Sequence, residues 1–531
     1  MSEYQKLFFA FSIILIAISF TFKIVITGDK VFATPDSQSA AAVGQGIEKY
    51  KSEFGQYPKW NPWIFSGVPT THSLQHVSRY YPPFYIFKAL NNIGMPKFFN
   101  YLIHFIFLGI GTFLILYRKN INIWACLYSG LAFTLMPYII TMIVHGHGSQ
   151  MMTAAYIPWI FLFIEKLREK RSVLNISILS LLIGFQLLRG HVQIAYYTWL
   201  IIGSYILLYM ISDIKSKQLI QNKEFYLFSI FSLVVGFLSS LQLYYPAHSY
   251  SPFSIRGGSD GGTGFDYATA WSFSFGEMLT FINPNYYGFG GSTYWGNMPF
   301  TDYPNYMSII SIVLTIYAIL FVKSSIVQTL LFIWISALFL SFGNNTPIYK
   351  IFYNYFPFFN KFRVPTMFLV VLQFSTILLS GIGFNYLLKN KLKDFKNYFP
   401  FIFTIILLIL SQIFGASLLN NSGKTHQVLD SMRLNMMNDG FISSFIFVIL
   451  FLFLFFLLNK NLLKFKIFAP LVLCLLIIDL NKVNSRIIHP KDKYNKTKLT
   501  MSNRDFKSLH KVDEIIQFLK SDNSNFRVLP L

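Results

Sequence analysis

Apolar runs recur along almost the whole chain, several of them about 18 residues or longer, which is the length a helix needs to cross ~30 Å of hydrocarbon. They fall at 7–27, 98–117, 121–143, 153–166, 174–189, 195–212, 225–243, 304–322, 324–341, 366–388, 398–418, 441–458 and 467–482. The spacing thus predicts about thirteen spans. The fourth and fifth are short for full crossings and read as tilted or re-entrant segments. Charged residues make up only 12% of the 531, and 54% are hydrophobic. That is about half the charge of an ordinary soluble domain, too little to cover a soluble core of this size. The expected fold class is an all-α polytopic membrane protein, a helical bundle with ordered extracytoplasmic loops.

The formal charge of +22 does not point to nucleic acid. Lysines and arginines bunch in short segments between apolar runs, as orientation signals do, and no zinc spacing or aromatic–basic motif accompanies them. The basic loops hold Arg118 and Lys119, the "EKLREKR" run to Arg171, Lys215 to Lys223, Lys323, "KNKLKDFK", and Lys460 to Lys466. The intervening loops, such as "VHGHGSQ", carry few or none. The positive-inside rule therefore predicts a cytoplasmic N-terminus and an extracytoplasmic C-terminus. The first run has no small-residue cleavage site and reads as an uncleaved anchor. Cys126 and Cys474 both lie in apolar runs, which indicates neither a disulfide framework nor a metal site.

With this orientation, residues 28–97, 244–303, 342–365, 419–440 and the tail 483–531 fall outside, while the inner loops are short. A membrane domain of 1–482 followed by an outer tail is expected. Loops of such length are usually functional, so the chemistry is sought on the outer side. The first loop is expected to hold a short amphipathic helix and an irregular Pro/Trp/Gly-rich part with Trp60 and Trp63, and 244–303 an ordered, helix-poor cap.

Candidate residues follow from their places at the outer rim. Asp36, in "FATPDSQSA", is either a helix cap or a general base that accepts a hydroxyl proton. Asp29 competes with it in the same loop, and Gln38 lies beside it. "VHGHGSQ" brings His145, His147 and Gln150 into a tight turn suited to hydrogen-bonding a phosphate or sugar. Metal sharing by the two histidines would need extended backbone and further ligands. "LLRGHVQIAYY" offers Arg189, His191 and Gln193, where the arginine either snorkels to headgroups or meets phosphate. "SIRGGSDGGTG" contributes Arg256, without the strand–loop–helix setting of a nucleotide P-loop. "NKFRVPT" adds Lys361 and Arg363, and Glu277 and Asp302 are secondary outer acids. Acids plus arginines at the rim suit a lipid-linked phosphate leaving group.

The ordered set "PDSQ", "YPKWNPWIFSGVPT", "GHGSQ", "RGHVQIAYY", "RGG" with "DYATAWSFSFGEMLTFINPNYYG", "YWGNMPFTDYPNYMS" and "KFRVPTMFLVV" resembles the YfhO-type bacterial membrane proteins, a family placed among the GT-C glycosyltransferases. The match runs from about residue 30 to 370. The resemblance implies a GT-C-like bundle in the bacterial cytoplasmic membrane that transfers a sugar, with inversion, from a polyprenyl-phosphate donor to an envelope glycan, lipid or protein acceptor. It places the general base on Asp36 with Gln38 nearby, and carries the family's later motifs onto Gly146 and His147, Arg256 and Arg363. One departure is Gln150, where the family pattern has a lysine. A second is the end, where "NFRVLPL" reads like the start of the outer domain of longer relatives. No cofactor is implied, and a divalent metal stays open.

From a different class, the alternative is a lipid-linked glycan transporter or an envelope assembly factor. A transporter is expected to keep charges at broken helices near mid-membrane, whereas the spans here read as nearly charge-free.

Overall fold

A computed structural model describes the chain except residues 1, 63, 66, 76, 255, 258–262, 391–393, 427, 490–498, 510–513 and 523–531. Trp63, most of the glycine-rich loop after Arg256 and the "NFRVLPL" segment therefore lie outside the described residues. The chain opens with α1 (Glu3–Thr21), the outer helices α2 (Pro35–Phe54) and α3 (Pro83–Asn92), then α4 (Phe98–Tyr117), α5 (Ile123–Thr134) and α6 (Pro137–Val144). Next come α7 (Gly148–Ala154), α8 (Ile157–Glu169), α9 (Val173–Leu188), α10 (Val192–Lys215), α11 (Lys223–Leu238) and α12 (Leu241–Tyr250). The short α13 (Phe265–Thr269) precedes α14 (Ile309–Phe321), α15 (Ser325–Ser341) and α16 (Pro347–Tyr355). Four long helices follow: α17 (Leu369–Lys389), α18 (Phe399–Asn420), α19 (Leu429–Asn459) and α20 (Phe465–Ile488). Two short ones, α21 (Asn503–Ser508) and α22 (Glu514–Ser521), end the series.

Eight helices among the described residues are long and apolar enough to cross a membrane, or nine if the bent pair α11–α12 is one span. The protein is thus an all-α, multi-pass membrane protein. The thirteen expected runs all lie over helices, but not all form full spans. Helices α9, α14 and α15 are shorter apolar helices, and the run 225–243 breaks between α11 and α12 with a 71° bend. The run 153–166 divides between α7 and α8. Hydropathy reports length in an apolar medium; a bend leaves it unchanged.

The bundle is centred on α5, α6 and α17, whose apolar windows are almost wholly buried, while α1, α18 and α19 leave most of their surface outward. Small residues bring the central helices together. A Cβ on Gly383 would lie 1.9 Å from the Leu314 carbonyl oxygen, and one on Gly130 would lie 2.8 Å from that of Gly109. Such close backbone approach is what drives helix association where lipid removes the hydrophobic advantage. Ser129 Oγ donates to the Ile377 carbonyl at 2.9 Å and Trp334 Nε1 to Thr376 Oγ1 at 3.0 Å, tying neighbouring helices by side chain.

At one end the first basic segments are paired with acids: Lys119 with Glu165 at 3.1 Å and Arg168 with Asp213 at 3.2 Å. The other end gathers the long connections. There β1 (Lys30–Phe32), just before α2, pairs antiparallel with β4 (Thr500–Ser502) from the tail. A second small ribbon joins β2 (Trp60–Asn61) to β3 (Val68–Pro69). Helix α20 runs unbroken through residue 482 to Ile488.

Candidate functional site

The stretch around Asp36 starts a helix rather than a loop. Thr34 is the extended N-cap, Pro35 occupies the first helical turn, and Asp36 follows it. Proline there needs no hydrogen-bond donor and has its φ already set, and a carboxylate in the first turn is favoured by the helix dipole. Asp36 is therefore not the cap itself. Its carboxylate is 65% exposed and accepts from His147 Nε2 at 3.0 Å. Gln38 turns away, its Nε2 donating to the Ala33 carbonyl at 2.7 Å.

His147 reaches Asp36 because the turn between α6 and α7 is built from glycine. Gly146 takes φ +85°, and a Cβ there would come 2.9 Å from both the Ser37 amide nitrogen and its Oγ. A Cβ on Gly148 would come 2.6 Å from the Tyr101 ring. The turn thus lies flat against the first turn of α2 on one side and against α4 on the other. Thr34 Oγ1 adds a bond to the Val144 carbonyl at 3.4 Å. His145 Nδ1 lies 4.0 Å from Asp302 Oδ2, which brings one secondary acid to the same turn. Burial pushes the His145 pKa below its ordinary value, and the Asp302 charge opposes this. Gln150 is buried in α7.

On the facing side, His191 caps α10 and its Nδ1 accepts from the Ile194 amide at 3.3 Å, which leaves the ring proton on Nε2. Burial first, then the neighbouring His147 and Arg256, push its pKa down to about 4. His191 is thus within electrostatic reach of His147 and of Arg256. Arg256 and Lys361 grip each other's backbone: Arg256 Nη1 donates to the Lys361 carbonyl, and Lys361 Nζ to that of Arg256 at 3.1 Å. The Arg256 pKa is lowered by burial and then by the like charge of Arg363. Arg363 Nη1 donates to Tyr267 at 2.5 Å, its guanidinium lies over that ring, and its carbonyl accepts from Gln193 Nε2 at 2.6 Å.

Arg189 occupies a deeper place. It is 6% exposed, its guanidinium lies 4.8 Å over the Tyr81 ring, and its Nε has no hydrogen-bond partner. No carboxylate pairs with it among the described residues. The snorkelling reading therefore fails for Arg189. Tyr101, against which Gly148 packs, is within its electrostatic reach, so Arg189 stands one layer behind the glycine turn.

Two expected acids are elsewhere. Glu277 is 1% exposed and accepts from the Ser274 amide at 2.9 Å, from Ser274 Oγ at 2.8 Å and from the Tyr294 hydroxyl. Burial raises its pKa, and its role is to hold the cap loop. Asp29 accepts from Thr27 Oγ1 at 2.8 Å, and its backbone carbonyl takes the Asn503 amide at the β1–β4 ribbon. Tyr267 and Tyr101 are site neighbours that sequence reasoning missed. Tyr267 lies within the "DYATAW" motif, but nothing in the sequence marks Tyr101.

The spans are nearly free of charge, and one of the few charges they hold is buried. Asp479 in α20 is 2% exposed and accepts from the hydroxyls of Tyr306 and Ser308. Comparison with protein-family models, curated proteins and solved structures found no match to this chain.

Proposed function

We propose that the protein is a GT-C-type glycosyltransferase that moves a sugar, with inversion, from a polyprenyl-phosphate donor to an envelope acceptor on the extracytoplasmic side of a bacterial cytoplasmic membrane. The observation that carries this reading is the Asp36–His147 pair at a helix N-terminus, with His191 within electrostatic reach of His147 and of Arg256, and Arg256 in turn within reach of Arg363. Asp36 is the general base. His147 holds one carboxylate oxygen, which fixes the direction of the other toward an incoming hydroxyl. As that oxygen attacks the anomeric carbon, its proton passes to Asp36 and the sugar–phosphate bond breaks on the opposite face. The phosphate leaves as an anion and needs fixed cations rather than a second acid. Arg256 and Arg363 supply them, and their planar guanidinium groups match phosphate oxygens better than lysine would. Gln150 stands where related sequences place a lysine, and Arg189 behind the turn is the further cation available to the donor phosphate.

The residues present do not form a divalent-metal cage: among the described residues no three His, Cys, Asp or Glu side chains converge. A second reading, a lipid-linked glycan transporter, draws on the 71° break between α11 and α12 and on buried Asp479. Incubating purified protein with a polyprenyl-phosphate sugar and an envelope extract separates the two. Release of polyprenyl phosphate supports the transferase, whereas lipid movement without bond cleavage supports the transporter.

A further inference from the structure

Helix α2 carries more than Asp36 on the face that bears it. Steps of three and four residues lead from Asp36 to Ser39, Ala40, Val43, Gly44 and Ile47, which share that face. These five form one wall of a groove of about 450 Å³. The β2–β3 ribbon faces them with Ile64 and Phe65 from its turn and Val68 from β3. That volume lies in the range of small-ligand sites. Ile47 and Val68 are buried at the base of the groove, while Phe65 stands exposed at its rim.

Gly44 is the informative position. It lies in the middle of α2, where glycine weakens a helix relative to alanine. No close packing requires it, since a Cβ there would meet nothing within 4 Å. What the missing side chain does is leave the wall of the groove open.

The lining also says which ligand fits. Ser73 and Gln75 reach the groove, but both are engaged. Gln75 Oε1 accepts from Asn61 Nδ2 at 2.9 Å, and its Nε2 donates to Ser73 Oγ at 2.9 Å. Ser73 Oγ in turn donates to the Pro69 carbonyl at 2.7 Å. A glycan laid against this wall would turn hydroxyls toward groups that cannot pair with them, and a peptide would do so with its amides. Polar groups left unpaired in this way are costly. Hydrocarbon meets no such objection, and its burial against Val43, Ile47 and Val68 is favourable. The polar end of a ligand belongs at the first turn, with Asp36 and Ser39, and its apolar end beyond.

We propose that the groove seats the hydrocarbon chain of a lipid acceptor, whose hydroxyl then lies at Asp36. The assignment rests on the transferase reading and names its acceptor as a lipid rather than a glycan or a protein. The acceptor hydroxyl gives its proton to Asp36 and its oxygen bonds to the anomeric carbon. Polyprenyl phosphate leaves with the electron pair of the broken carbon–oxygen bond. The donor's own chain lies elsewhere, because Arg256 and Arg363 take its phosphate and the groove continues the Asp36 side.

The test uses the purified full chain in nanodiscs with a dodecanol that bears a photoreactive diazirine, and mass spectrometry maps the labelled peptides. Label should fall on α2 between Ala40 and Ile47. Gly44→Trp, which fills the groove from a position with open space, should lower this labelling at least about tenfold, one decade of affinity. Gly44→Ala should retain it, and label on the outward faces of α18 and α19 should stay unchanged in both variants. In parallel, a polyprenyl-phosphate sugar is offered with a total membrane-lipid extract. Sugar should enter the lipid, and Gly44→Trp should raise the acceptor's KM and leave the donor's unchanged. Label absent from α2, or unmoved by Gly44→Trp, would overturn the proposal. So would label displaced by polyprenyl phosphate and not by plain dodecanol, which would give the groove to the donor. Sugar delivered to a water-soluble glycan or a protein instead of lipid would overturn the acceptor assignment and leave the transferase reading standing. No release of polyprenyl phosphate with any acceptor would overturn that reading and the acceptor role with it, while the labelling separately decides whether the groove holds hydrocarbon.

Discussion

His147 Nε2 and Asp36 Oδ2 meet at 3.0 Å across 111 residues of sequence, joining the turn after α6 to the first turn of α2. Neither residue is buried, and an exposed pair of this kind adds little to stability. Its value lies in orientation. It fixes a carboxylate at a helix N-terminus against a histidine that lies within electrostatic reach of His191.

The glycine between the two histidines is what allows this contact. Gly146→Ala places a Cβ 2.9 Å from Ser37 backbone and side chain at a positive φ of 85°. The strain alone costs on the order of 1–2 kcal/mol, and relief requires the turn to retreat from α2. Transfer should then fall on the order of 10²-fold, as about 1 Å of misplacement does, with the melting temperature lowered by only about a few degrees and insertion unchanged. Parallel transfer assays and melting curves in detergent check this.

Arg363 offers the donor phosphate a planar fork and is itself steadied by Tyr267. Arg363→Lys retains charge and loses the fork. The Michaelis constant for the polyprenyl-phosphate donor should rise about tenfold, equivalent to roughly 1.4 kcal/mol, with the acceptor's constant unchanged. Steady-state kinetics varying each substrate separately provides the comparison.

Much of this arrangement is readable in the sequence, and the reasons for the rest are physical. Apolar length announces membrane helices, and Thr-Pro-Asp announces the start of α2, because capping and proline chemistry are local. The Gly-His-Gly turn is equally local. The burial of Arg189 is not, since Tyr81, Tyr101 and Tyr156 reach it from three separate segments. The bend between α11 and α12 leaves no mark on hydropathy.

His191 gives the acid response a definite sign. Its pKa is pushed from the ordinary 6.5 to about 4, chiefly by burial. Between those values the unfolded chain binds a proton that the folded one does not, so stability rises with pH there. The contribution is fully present above about 6.5 and is lost as pH falls toward 4. Melting temperature should therefore drop between pH 6.5 and 4.5, and drop less in His191→Gln. An identical drop in the variant would remove His191 from this account.

Topology rests on the alternation of basic loops. In a Cys126→Ser, Cys474→Ser background, a cysteine at Ser52 in α2 should react with an impermeant maleimide on intact cells. One at Ser216, beyond α10, should react only after lysis. Labelling of position 216 in intact cells would reverse the orientation and place Asp36 in the cytoplasm.

The central claim is that the Asp36 carboxylate takes a proton from the acceptor. Asp36→Asn keeps the size and most of the hydrogen bonding and removes only the base, whose contribution is typically 10²–10⁴-fold. With purified protein, a polyprenyl-phosphate sugar donor and envelope acceptor, the turnover rate of Asp36→Asn should fall by at least about 10²-fold, with donor affinity unchanged and Asp29→Asn close to wild type. Full turnover by purified Asp36→Asn would contradict the mechanism and leave the carboxylate as a helix-terminal charge paired with a histidine.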